Sequence, residues 1–157
     1  MKVVIIEDEK PAVEKLTTML HTYDPEIEIA AVLSGVDESV KWFTEKGAAI
    51  DLIFLDIELN DGNSFGIFEQ IEINKPIIFV TAYNEYAIKA FQLNSIDYLL
   101  KPLQYERFYQ SMEKIKVLRE NLPAGRENMQ YDEISRLILE FNKNYKSRFL
   151  VKVGDHL

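Results

Sequence analysis

The sequence predicts an α/β protein built on a doubly wound, five-stranded parallel sheet, and two observations carry that expectation. Short apolar runs alternate five times with amphipathic segments of helical spacing, the pattern of βαβ units with helices on both faces of a sheet. The runs are continuous rather than alternating, as strands buried on both faces require.

The first strand is KVVII, starting at Lys2 and ending in the acidic EDE. Pro11 suits the first turn of a helix, and Ala12, Val13, Leu16, Met19 and Leu20 recur at helical spacing up to a break between His21 and Pro25. Strand and helix then repeat: Ile27 to Leu33 and Val36 to Lys46, then Leu52 to Asp56 and, after a polar loop, a short helix from Phe65 to Ile71. PIIFVT (Pro76 to Thr81) is the fourth strand and Glu85 to Phe91 the fourth helix; IDYLL (Ile96 to Leu100) is the fifth strand, with a last helix from Gln104 to Glu120. Strand order is not fixed by alternation. The flavodoxin-like (βα)5 order 2-1-3-4-5 is one of the common solutions for such a chain, and it is the order expected here.

Residues 1–120 therefore form the expected main domain. A linker is expected over 121–146, because ENLPAGRENMQ carries Pro123 and Gly125 with little apolar content. Within it Ile134, Leu137, Ile138 and Phe141 keep helical spacing behind Asp132 as a cap, which predicts a C-terminal linker helix. Residues 147–157, with RFLVKVGDHL, read as one strand and a turn.

Composition narrows the chemistry. The chain of 157 residues has no Cys, which excludes disulfides, thiolate metal sites and cysteine nucleophiles. Its apolar runs fall short of the roughly 18 residues of a membrane span and its N-terminus lacks a signal-peptide core, so a cytoplasmic location without membrane association is expected. The net charge of -8 is unevenly spread: residues 1–100 hold 18 acidic against 7 basic side chains, and residues 101–157 hold 8 against 11. Such an acidic domain is a poor nucleic-acid binder by itself.

The strand ends carry the functional signal. Strand one ends in Glu7 and Asp8, strand three in Asp56, strand four in Thr81, and strand five runs into Lys101-Pro102. Right-handed crossovers bring parallel strand ends to one rim, where open α/β sheets bind ligands. Carboxylates gathered there repel one another unless a cation sits among them, and oxygen-only ligands favour Mg2+ (or Mn2+) over zinc. Asp8 and Asp56 are expected to hold that metal directly, Glu7 through water, and the backbone carbonyl of Glu58 to join them. Lys101 supplies a point charge for a carboxylate or a phosphoryl oxygen. A site of this kind serves phosphoryl transfer.

EDE, DLIFLDIELNDGNSF, PIIFVTAYNEYAIKAF and IDYLLKP, in this order and spacing, together resemble response-regulator receiver domains, in particular those of the LytTR (LytR/AlgR-type) transcriptional regulators. The resemblance covers about residues 2–120. It implies that Asp56 takes a phosphoryl group from the phosphohistidine of a sensor histidine kinase, that Glu7 and Asp8 serve Mg2+, and that Lys101 serves the phosphoryl oxygens. Thr81 would move its hydroxyl to the phosphoryl group and Tyr98 would swing into the vacated space. It also implies a cis Lys101-Pro102 bond and a homodimer through the fourth helix, fifth strand and fifth helix. Two positions depart from the family pattern: Asn60 stands where many receivers have Pro, and Ser64 where many have Gly, though Asp61-Gly62 can still make the turn in this loop.

The tail resembles the opening strand of a LytTR DNA-binding domain, so the chain is expected to be a fragment whose full-length parent regulates transcription, with DNA contacted only by the missing output domain. Each acid taken alone would be an ordinary helix cap; three at one rim reverse that reading. The run Phe65, Phe68, Tyr83, Tyr86 and Phe91 is read as packing. A haloacid-dehalogenase-like phosphatase also uses an aspartyl nucleophile with Mg2+, but that family carries its motif on the first strand. A nucleotide-binding module would need a glycine-rich phosphate loop, which follows no strand here.

Overall fold

The computed structural model describes residues 1–46, 49–93 and 95–120. The expected linker helix and terminal strand therefore lie outside the described residues. In chain order the elements are β1 (Lys2–Ile6), α1 (Lys10–Tyr23), β2 (Glu28–Leu33), α2 (Val36–Lys46), β3 (Leu52–Leu55), β4 (Glu58–Leu59), β5 (Gly62–Asn63), α3 (Phe65–Gln70), β6 (Ile77–Thr81), α4 (Ala87–Gln92), β7 (Asp97–Leu100) and α5 (Tyr105–Glu120).

The main sheet has five parallel strands in the order β2-β1-β3-β6-β7. With the small β4-β5 pair set aside, this is the flavodoxin-like order 2-1-3-4-5. Period-two alternation divides its side chains between two cores. Val3 and Ile5 of β1, Leu52 and Phe54 of β3, Ile78 and Val80 of β6 and Leu99 of β7 pack with Leu16 and Leu20 of α1 and Phe108, Met112, Ile115 and Leu118 of α5. Val4, Ile6, Ile53, Leu55, Ile77 and Phe79 point the other way, toward Val36 of α2, Phe65 and Ile67 of α3, and Ala90 of α4.

Pro11 stands in the first turn of α1, where its missing N–H costs nothing, and the helix ends as the Asp24 amide donates to the Leu20 carbonyl at 2.9 Å. α5 is locked to β7 by a buried charge network. Arg107 donates to Asp97 at 2.7 and 3.0 Å, Ser111 Oγ donates to Asp97 at 2.6 Å, and Lys114 Nζ lies 3.6 Å away. Burial alone would raise the Asp97 pKa, but these partners outweigh it and hold the carboxyl below its ordinary value.

The polar loop after Asp56 contains a hairpin. β4 and β5 pair antiparallel, Glu58 with Asn63 and Leu59 with Gly62, around a two-residue turn of Asn60 and Asp61. Gly62 closes it at φ +140°, backbone that side-chain-bearing residues rarely adopt. A helix is drawn in at α4, which starts at Ala87 rather than Glu85.

Candidate functional site

The strands deliver their terminal residues to one rim in register. Ile6 pairs with Leu55, so Glu7 and Asp56 leave adjacent strands side by side, and the Asp56 amide donates to the Ile6 carbonyl at 2.9 Å. Thr81 pairs with Leu100 at the ends of β6 and β7, and the Lys101 amide donates to the Thr81 carbonyl at 2.8 Å. The Lys101-Pro102 peptide is cis.

Carboxylate oxygens of Glu7, Asp8 and Asp56 all lie within 4.8 Å of one another. Lys101 Nζ bridges two of them, 2.9 Å from Glu7 Oε2 and 2.9 Å from Asp56 Oδ2. The pairing of Lys101 with a carboxylate, expected from the sequence, includes Glu7 because Glu7 leaves β1 on the same face as Asp56. Its other oxygen accepts the Glu9 amide at 3.1 Å. Burial pushes the Glu7 carboxyl up to about 7, against the pull of Lys101 and with help from the Asp56 charge. Burial also works against the charge on Lys101, but its bonds to Glu7 and Asp56 prevail and keep its pKa above the ordinary lysine value.

Asp56 Oδ1 is buried and has no hydrogen-bond partner. A buried carboxylate oxygen without a donor costs free energy that a cation or a donor would relieve. Together with an all-oxygen set and three acids against one ammonium, this orphan fits a hard divalent cation, which Glu7, Asp8 and Asp56 could hold. The Glu58 backbone lies two residues beyond Asp56 in β4, and the Glu58 side chain accepts the Tyr86 hydroxyl at 2.8 Å.

Strand parity sorts the other residues. Glu7, Asp56 and Lys101 continue the α1/α5 side of β1, β3 and β7, and with Leu16, Phe54 and Leu103 they line a mostly apolar cavity of about 110 Å³. Thr81 continues the opposite side, that of Ile77 and Phe79, and Tyr98 packs there too, its ring 6.1 Å from Phe79. Thr81 is fully buried and its hydroxyl accepts the Tyr83 amide at 3.4 Å. The Tyr98 hydroxyl donates to the carbonyl of the same Tyr83. Of the aromatic run, Phe65 is buried against Phe79 and Tyr86, whereas Tyr83 is 45% exposed.

Residues 3–113 match the family described as the response regulator receiver domain. The chain belongs to that family. The receiver is 34% identical over 119 residues to the sensory transduction protein LytT of Bacillus cereus, covering 74% of this chain and 47% of that protein. It is 37% identical over 117 residues to LytT of Enterococcus faecalis, covering 73% and 47%. It thus spans about half the length of the curated relatives it matches. Among solved structures it resembles the response regulatory domain of protein mrkE from Klebsiella pneumoniae, with a TM-score of 0.69 and 30% identity, covering 78% of this chain and all of that one. A two-component response regulator from Clostridium difficile gives 0.64 and 29%, covering 78% and 99%. The family makes the chain a signalling protein rather than a conventional enzyme. No helix among the described residues is long and apolar enough to cross a membrane.

Two side-chain contacts carried weaker sequence signals. Asp61 was read only as a turn residue, yet its carboxylate accepts the amides of Val36 at 2.7 Å and Asp37 at 3.1 Å, capping α2 from a distance of 25 residues. These bonds hold its pKa below the ordinary value. The Asp97 network did leave a trace, since Arg107, Ser111 and Lys114 fall on one helical stripe opposite an acid in an otherwise apolar strand.

Proposed function

We propose that this receiver accepts a phosphoryl group on Asp56 from a sensor histidine kinase, with Mg2+ (or Mn2+) bound beside it, and passes that state to a DNA-binding output domain that regulates transcription. The observation that carries the reading is the Asp56 carboxylate, which has one oxygen held by Lys101 and the other buried and unpartnered within the acid cluster.

An Asp56 oxygen attacks the phosphorus of the phosphohistidine; the P–N bond breaks and its electron pair returns to the imidazole, which takes up a proton. The product is an acyl phosphate. Asp8, Asp56 and the Glu58 carbonyl would hold the cation, with Glu7 behind them, and when bound it would supply charge neutralisation for the transferring group. Lys101 exchanges a carboxylate oxygen for a phosphoryl oxygen. Thr81 turns its hydroxyl toward the new charge, and the Tyr83 segment it shares with Tyr98 responds, a local electrostatic event that biases a two-state element. Homodimerisation through the face of α4, β7 and α5, a cytoplasmic location and the division into residues 1–120, 121–146 and 147–157 complete the proposal. Leu100, 47% exposed on β7, is suited to such an interface.

The test is incubation with Mg2+ and a small acyl or amido phosphate donor. Asp56 gains one phosphoryl group, seen as a mass increase that EDTA prevents and that is absent from Asp56→Asn. Undiminished labelling of that variant would end the assignment, and steady turnover of a phosphomonoester would favour a phosphatase instead.

A further inference from the structure

Building on the metal-dependent acceptor role proposed above, we infer that Asp61 is a positioning residue for the cation site: by gripping the start of α2 it fixes the hairpin that carries the Glu58 carbonyl. Asp61 is not one of the clustered acids among the described residues. It stands at the tip of the β4-β5 turn, five residues beyond Asp56, and both of its carboxylate oxygens are committed to α2.

The junction before α2 is shaped for that carboxylate. A Cβ on Gly35 would lie 2.8 Å from Asp61 Oδ1 and 3.0 Å from Oδ2, so any side chain there would displace it. A grip of this kind matters because β4 and β5 contribute two residues each, and an isolated two-stranded hairpin is marginal even when longer. The base of the hairpin is tied by the Ser64 amide to the Ile57 carbonyl at 2.7 Å and by the Phe65 amide to Asn63 Oδ1 at 2.9 Å. Tyr86 holds Glu58 from one side, and Asp61 anchors the tip to a full-length helix. Mg2+ demands near-ideal geometry. A loop left to drift by a fraction of an ångström presents its carbonyl poorly, and groups that orient ligands commonly change metal affinity by about 10- to 100-fold.

The test is Mg2+ titration of the whole chain by calorimetry, with Mn2+ titration by electron paramagnetic resonance as a second measure, on wild type, Asp61→Ala, Gly35→Ala and the double variant. Each single variant is expected to bind about tenfold more weakly. The double variant should be no weaker than Asp61→Ala, because both break one contact. Hydrogen exchange at the Val36 and Asp37 amides should accelerate in Asp61→Ala. A merely structural cap would lower the melting temperature and leave the affinity of the folded protein unchanged, and that result, or additive losses in the double variant, would overturn the inference. Failure of the wild type to bind either cation would overturn the acceptor reading along with it, whereas wild-type binding with unaltered Asp61→Ala would sink this inference alone.

Discussion

Replacing Lys101 with Met tests the electrostatics of the acid cluster directly. The ammonium makes two contacts of 2.9 Å, with Glu7 and Asp56, each of which is 6% exposed. At an effective dielectric near 20, each contact corresponds to about 6 kcal/mol of attraction, most of it offset by the desolvation of the ions. Breaking a buried pair by removing one partner costs about 3–5 kcal/mol, and since Lys101 is 20% exposed the expected loss is about 2–3 kcal/mol. The sign of its pH dependence follows from Glu7. A carboxyl whose pKa rises from 4.5 to about 7 on folding stabilises the folded state while it stays protonated. That contribution is fully present below 4.5 and is lost as pH rises through about 7. Without Lys101 the downward pull on Glu7 disappears, so the loss extends to higher pH and its total grows. Urea denaturation of metal-free protein, followed by Trp42 fluorescence, should show a reduced penalty for Lys101→Met at about pH 5.5, where Glu7 is protonated and the Asp56 contact alone is lost, and the full penalty at about pH 8. Millimolar Mg2+ should shrink the penalty by supplying the missing positive charge. An equal penalty at both pH values, or none at either, would refute the reasoning.

Glu7→Gln removes the titrating group, so wild-type stability should fall between about pH 5 and about pH 7 in metal-free buffer while that of the variant stays nearly flat, as read from denaturation midpoints. Asp97→Ala strands the buried Lys114 without its nearest carboxylate and should cost about 3–4 kcal/mol in urea denaturation. Because the Asp97 pKa is lowered from 3.8, the stability it supplies at neutral pH should be lost as pH falls below about 4, and an acid titration by circular dichroism should show this limb weakened in the variant. Phe54→Ala removes a buried ring stacked 6.0 Å from Phe108 and should cost about 3–5 kcal/mol, measured the same way.

The sheet was legible because its strands are written as unbroken apolar runs: VVII, LIFL and IIFV have no plausible exposed face, and each is fully buried. The candidate acids were legible for the same reason, since a carboxylate that interrupts such a run at its end stands out. The strand edge β2 was a weaker signal, with Val32 46% exposed. The β4-β5 hairpin escaped because two-residue strands carry no periodicity, and only Asp61-Gly62 hinted at a turn. The partner of Asp61 escaped because a helix cap supplied from another loop has no local spacing to read. Glu7 was seen as an acid of the site, but its direct bond to Lys101 depends on side-chain direction across three strands. The Thr81 and Tyr98 hydroxyls both end on Tyr83, a convergence that the positions of the strands alone do not reveal.

The division of each strand between two cores works like a reading frame. Deleting a single residue inside β3 would leave composition and hydropathy almost untouched, yet Asp56 would emerge toward α2 and α3 while Glu7 and Lys101 remained beneath α1. Length changes are therefore tolerable in the connections and ruinous within the strands, and the distance of each acid from the start of its strand is as much a part of the pocket as its chemistry.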